Sequence, residues 1–272
     1  MDQQHSLPKV MTIAGSDSGG GAGIQADIKT ITLLGGFATS VLTALTAQNT
    51  QTVAAAYKLP DDFIRLQFKI VMDDIGTDAA KTGMLADAGI IRTVCDCLRE
   101  RPVPFLVVDP VMVSKSGSSL LAPDAVQALR ENLLPLATII CPNLPEASAL
   151  LDRKIGDLDA MRAAAQDIAG MGCRYALIKG GHLDGPAVDV LSNGKETTEF
   201  ASKRLPGKNT HGTGCCFSAA IATFLARGMT IEEAVKNAKR FIMESVRNGL
   251  DIGGGRGPMD LLSGARGAGF IP

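Results

Sequence analysis

Asn209-Thr210-His211-Gly212-Thr213-Gly214-Cys215-Cys216 runs directly into residues 217–225, an apolar stretch with helical character. Glycines at a helix start leave consecutive backbone N–H groups uncovered. With the helix dipole behind them, these groups form a pocket for phosphate oxygens or for a developing negative charge. Cys215 falls at that helix N-terminus, where a thiol pKa is lowered from about 8.5. It is thereby placed to act as a base toward a substrate hydroxyl, an effect worth about 10²–10⁴-fold. The same octapeptide also fits a plain glycine-assisted turn above two small buried thiols.

The remainder of the chain supplies the frame. Residues 10–14 read as a strand, 15–23 as a glycine-rich loop, and Ile24, Ile28 and Ile31 recur at helical spacing until Gly35-Gly36. Strand-like runs follow at 37–45 and 53–59, with a helix from Pro60-Asp61-Asp62 to about Asp74. Strands at 79–84, 105–108, 137–141 and 175–179 then alternate with helices at 87–99, 123–134, 144–151 and 157–170. Residues 187–205 read as a hairpin turning at Ser192-Asn193-Gly194, and 211–227 and 230–249 as two closing helices. Strands alternating with helices predict an α/β fold with a mainly parallel sheet. In such sheets ligands bind at the carboxyl ends of strands.

Bulk composition narrows the function classes. Hydrophobic residues make up 46% and aromatics 4%, with no Trp, which suits a sheet covered on both faces by Ala, Val, Leu and Ile. The 27 Lys and Arg against 28 Asp and Glu leave a net charge of -1, with no basic cluster for nucleic acid or an anionic membrane. No run is apolar for the length of a membrane span, and Met1–Pro8 lacks a secretory signal. Six cysteines without C-x-x-C spacing and three histidines argue against zinc, so the expected compartment is the reducing cytoplasm.

The strand ends carry the remaining candidates. Asp109 follows the 105–108 strand, and Glu146 follows 137–141 in Cys141-Pro142-Asn143-Leu144-Pro145-Glu146. Two carboxylates at neighbouring strand ends suit Mg²⁺ beside a triphosphate. Glu146 equally suits a capping box with Asn143. Lys179, before Gly180-Gly181-His182, suits a phosphate contact, and Lys81 in Lys81-Thr82-Gly83-Met84 is a weaker version of the same feature. Asp27, taken alone, reads as part of a solvated helix face. The loop at 15–23 is neither a dinucleotide fingerprint, since Ile24 stands at the third glycine position, nor a P-loop, since no Gly-Lys-Ser/Thr follows. Gln48 closes a polar-edged strand, and its amide can donate and accept in one plane, matching an aminopyrimidine edge.

Taken together, the stretches 14–27 (AGSDSGGGAGIQAD), 39–50 (TSVLTALTAQNT), 81–85 (KTGML), 107–117 (VVDPVMVSKSG), 142–146 (PNLPE), 179–182 (KGGH) and 209–218 (NTHGTGCCFS) resemble the hydroxymethylpyrimidine and phosphomethylpyrimidine kinases of the ribokinase-like superfamily. The likeness extends from Ile13 to Leu261. It implies one ribokinase-like kinase domain over residues 1–272, a three-layer α/β/α architecture with a mainly parallel central sheet. It implies ATP-dependent phosphorylation of 4-amino-5-hydroxymethyl-2-methylpyrimidine and then of its monophosphate, in thiamine biosynthesis. Gly15, Asp17, Ala22, Asp27, Gln48 and Met84 would lie on the substrate side. Lys179, Thr210, Thr213 and Asp109 would take ATP, and Asp109 and Glu146 would take Mg²⁺. Gly212, Gly214, Cys215 and Lys179 would carry the chemistry, with Cys215 standing where many superfamily members carry Asp. A homodimer is also implied. Two positions depart from the pattern: Arg256 stands where His is usual, and Cys216 where Thr or another small residue is usual. A pyridoxal-type kinase, a non-catalytic precursor sensor and a sugar kinase remain as alternatives. Gln48 and Met84 weigh against the first, the joint presence of Asp109, Lys179 and Cys215 against the second, and the missing Asp after Gly214 against the third.

Overall fold

The computed structural model describes residues 7–112, 123–181, 185–205 and 209–272. Among the described residues nine strands form one sheet: β1 (Lys9–Asp17), β2 (Phe37–Gln48), β3 (Val53–Lys58), β4 (Ala79–Thr82), β5 (Leu106–Val108), β6 (Ile139–Ile140), β7 (Tyr175–Ile178), β8 (Ala187–Ser192) and β9 (Thr197–Ser202). Their order across the sheet is β3-β2-β1-β4-β5-β6-β7-β8-β9. The central pairs are parallel, and β3, β8 and β9 add antiparallel edges. The helices are α1 (Gly23–Leu33), α2 (Asp61–Asp74), α3 (Ala88–Glu100), α4 (Pro123–Ala128), α5 (Leu144–Leu151), α6 (Leu158–Gly170), α7 (Thr213–Ala226), α8 (Ile231–Arg247) and α9 (Leu261–Gly267).

Side chains alternate along each central strand, so each strand feeds two cores. Met11, Ile13, Leu106, Val108, Ile140, Ala176 and Ile178 point into one core with α2, α3, α5 and α6. Val10, Val107, Ile139 and Leu177 point into the other, with α7 and α8. The result is the three-layer arrangement that the alternation of strand and helix predicts.

Several elements differ from the sequence reading. β1 continues past Gly15 to Asp17, because a register shift lets Ser16 and Asp17 pair with Leu45 and Thr46. β2 runs on to Gln48 for the same reason: β3 pairs with it as far as Val53 opposite Gln48. The helix expected over 123–134 becomes π-helical over Leu129–Leu133 and then a 3₁₀ turn over Leu134–Leu136. Pro135 lacks the N–H that an α-helix would need there. α9 has no counterpart in the sequence reading; its cap, Asp260, accepts from Ser263 N.

Candidate active site

The sheet order converts scattered sequence positions into a row. At the carboxyl edge, β2 ends at Gln48, β1 at Asp17, β4 just before Met84, and β5 just before Asp109. β6 leads to Asn143 and Glu146, and β7 to Lys179. The polar and small residues of the expected substrate side therefore occupy one half of the edge, and the charged residues the other. α7 packs on β1, β4 and β5, so its N-terminus stands between the two halves.

Gly212, which caps α7, has φ 77°, and a Cβ there would lie 1.8 Å from the Gly21 carbonyl oxygen. Only glycine allows both the left-handed backbone and this approach. A Cβ on Gly214 would meet Lys179 Nζ at 3.3 Å and Asp109 Oδ2 at 3.4 Å. The glycines thus bring the uncovered α7 N-terminus against the charged cluster on one side and the glycine-rich loop on the other. Thr213 is less free, because its hydroxyl donates to the Thr210 carbonyl at 2.7 Å.

Within the charged half, Lys179 Nζ donates to Asp109 Oδ1 at 3.0 Å. Burial pulls the lysine pKa down, but Asp109 and Glu146 outweigh it and hold the ammonium charged. Glu146 does cap α5: Asn143 N donates to its Oε2 at 2.8 Å, and Glu146 N to Asn143 Oδ1 at 2.9 Å. It is also buried beside this cluster. Burial first, with the nearby Asp109 charge, pushes its carboxyl up to about 7 against the pull of Lys179. Two hard oxygen donors crowded in one buried corner are a donor set that suits Mg²⁺. Backbone N–H groups already engage Glu146, which favours contact through water. Among the described residues no group of three His, Cys, Asp or Glu could hold a metal by itself.

Asp17 organises the other half. Its buried carboxylate accepts from Gly19 N at 2.8 Å, Gly21 N at 3.1 Å and Ala22 N at 2.8 Å, and lies 3.0 Å from His211 Nε2. Burial raises its pKa, yet the hydrogen bonds from His211, Gly19 and Ala22 more than offset this and the net shift is downward. Met84 packs on Gly15, where a Cβ would come within 2.4 Å of its Cε. Gln48 lies 3.5 Å from His211.

Two sequence-based expectations require correction. Asp27 is not at a substrate-facing or solvated position: it is 0% exposed, bonded to Lys81 Nζ at 2.8 Å and to the Thr12 hydroxyl at 2.6 Å. The reason is that α1 turns this side chain under the sheet rather than out of it. The Cys215 thiol is not lowered. Burial pushes it up to about 11, with Lys81 and the Gly23 N–H pulling the other way. Sequence reasoning also undervalued Lys81, wholly buried beneath this corner, and assigned no role to His211. His182 lies outside the described residues.

A glycine-opened helix N-terminus, an adjoining lysine–carboxylate cluster and a row of polar strand ends on a ribokinase-like sheet mark a small-molecule kinase. Residues 17–260 match the phosphomethylpyrimidine kinase family model, and the chain belongs to that family. A hydroxymethylpyrimidine/phosphomethylpyrimidine kinase of Streptomyces coelicolor is 48% identical over 253 residues, 93% of this chain and 94% of that protein. The chain also spans about half (51%) of a longer bifunctional thiamine-biosynthesis protein from Geobacter sulfurreducens. Among solved structures, the ADP complex of Bacillus subtilis pyridoxal kinase superposes with a TM-score of 0.89 at 39% identity, covering 95% of this chain and 98% of that one. A phosphomethylpyrimidine kinase from Clostridium difficile 630 gives 0.79 at 43%, covering 88% and 99%. Among the described residues no helix is long and apolar enough to cross a membrane.

Proposed function

We propose that this protein transfers a phosphoryl group from ATP to 4-amino-5-hydroxymethyl-2-methylpyrimidine, and a second one to the resulting monophosphate. The observation that carries this reading is the position of Gly212–Cys215 between Gln48 and Asp17 on one side and Asp109, Glu146 and Lys179 on the other. Gly15, Ala22, Gln48 and Met84 hold the pyrimidine, with Gln48 meeting its amino and ring-nitrogen edge. Asp17 shapes the loop around it, and Asp27 supports from below. ATP lies over Lys179, Thr210, Thr213 and Asp109, and the ADP complex of the Bacillus subtilis relative supports nucleotide use. Asp109 and Glu146 would hold Mg²⁺, which would supply neutralisation of phosphate charge.

Phosphoryl transfer requires little covalent help from the protein, so positioning and charge compensation dominate. The N–H groups at Gly212–Cys215 and the Lys179 ammonium face the charge that develops on the transferred group. In the first transfer the hydroxyl proton passes to the thiolate form of Cys215, a minor form at neutral pH that Lys81 and the Gly23 N–H favour against burial. In the second, the nucleophile is a phosphate that is already anionic, and no proton need move.

The same reading extends to a homodimer, supported by the exposed Leu45 and Tyr57 paired across β2 and β3. Light scattering tests it. The kinase reading is tested by coupled ADP release with Mg-ATP and, separately, the hydroxymethylpyrimidine, its monophosphate and pyridoxal. Turnover of both pyrimidines well above pyridoxal is the expected result. Preference for pyridoxal, which the Bacillus subtilis likeness makes the natural second reading, would overturn it.

A further inference from the structure

His211 stands in the turn that leads into α7, and its side chain reaches Asp17, Gln48 and Gly21 on the proposed substrate side. Its ring packs on Gly21, where a Cβ would sit 2.4 Å from His211 Cδ2. Its backbone N–H donates to Gly257 O in the C-terminal tail. Its Nε2 lies 3.0 Å from Asp17 Oδ2 and 3.5 Å from the Gln48 amide.

The protons in this cluster can be counted. The Asp17 carboxylate already accepts three backbone N–H groups, so it is an acceptor and not a donor toward His211. His211 Nε2 must then carry the proton. A second N–H facing it from Gln48 would set donor against donor. On the far side of the amide, the Thr46 hydroxyl gives its one proton to Ser16 O at 2.8 Å and lies 3.3 Å from the Gln48 side-chain oxygen. That contact sets acceptor against acceptor. Both conflicts vanish when the Gln48 amide is turned over, with its oxygen toward His211 and its nitrogen toward Thr46. One lone pair and one N–H of the amide then remain, side by side, for a ligand.

We propose that His211 is a positioning and specificity-determining residue: locked by Asp17 with its proton on Nε2, it fixes the polarity of the Gln48 amide and clasps the glycine-rich loop to the phosphate turn. The remaining pair on Gln48 accepts from an exocyclic amine and donates to the adjacent ring nitrogen. The ligand class is an amino-substituted nitrogen heterocycle, and this part rests on the function proposed above.

Two measurements test it. In ¹⁵N-histidine-labelled free protein, with the His211 signals assigned by their loss in His211→Gln, the proton is expected on Nε2. A proton on Nδ1 alone overturns the proposal, whatever the enzyme phosphorylates. In kinetics, His211→Leu should raise KM for the hydroxymethylpyrimidine about tenfold or more, the usual effect of stranding a buried polar partner. KM for ATP should stay within about threefold, and His211→Gln, which keeps a donor near Nε2, should recover most of the loss. Adding Gln48→Ala to His211→Leu should cost little further, since the two act as one unit. Equal rises in both KM values, no rescue by Gln, or independent addition of the two effects would each overturn the clasp. If the wild-type protein turns over no pyrimidine at all, the proposed function fails, and the tautomer still decides the inference.

Discussion

Replacing Lys81 by Met leaves Asp27 as a carboxylate with no cation in the interior. Both side chains are 0% exposed and 2.8 Å apart. Asp27 then keeps only the Thr12 hydroxyl at 2.6 Å, and its Oδ1 has no hydrogen-bond partner among the described residues. Burial already raises the Asp27 pKa while Lys81 resists, so removing Lys81 drives the group toward its protonated form. Breaking one side of a buried pair typically costs about 3–5 kcal/mol. For a chain of this size each kcal/mol lowers Tm by about 2–4 °C, which predicts a loss on the order of 10 °C for Lys81→Met. Replacing both partners, as Lys81→Met with Asp27→Leu, removes the stranded charge and should restore most of that loss. Scanning calorimetry on ligand-free protein at fixed concentration provides the comparison. A single variant that shifts Tm by less than about 2 °C, or a double variant as unstable as the single one, would refute the claim that this pair is a closed electrostatic unit.

Cys215→Ala should slow phosphorylation of the hydroxymethylpyrimidine by about 10²-fold or more and that of the monophosphate far less, measured as separate single-turnover steps; equal losses would assign Cys215 a purely spatial role. Alkylation of Cys215 by iodoacetamide, followed by mass spectrometry with Cys215→Ala as control, should be slow at pH 7 and still rising at pH 10, because burial pushes the thiol up to about 11. A plateau near pH 8.5 would show that the helix N-terminus dominates instead. Asp17→Asn should destabilise the protein most at neutral pH. The Asp17 pKa is lowered on folding, so its contribution is present above the usual value of 3.8 and is lost as pH falls through the folded value. The difference in denaturation midpoint between the two proteins should therefore shrink below about pH 4. Gly212→Ala should abolish turnover, since its Cβ would lie 1.8 Å from the Gly21 carbonyl oxygen, and the variant's nucleotide affinity, read by calorimetry, should fall with it.

Read without coordinates, the chain already determined its layers, its parallel sheet and the row of polar residues at the strand ends. These follow from local periodicity and from turn chemistry, which the residues carry with them. The octapeptide at 209–216 announced a glycine turn opening directly onto a helix, and Gly212 does cap α7. Burial and charge pairing were beyond its reach, since they depend on what the other layer places overhead. Asp27 looked like a solvated helical carboxylate until α1 turned it under the sheet onto Lys81. Cys215 looked activated by its helix until the surrounding desolvation was known. His211 drew no reading because its partners Asp17 and Gln48 lie more than 160 residues away. The periodic backbone was written in the sequence. The protonation states, and with them the polarity of the site, were decided only by tertiary packing, because a charge takes its free energy from its neighbours in space.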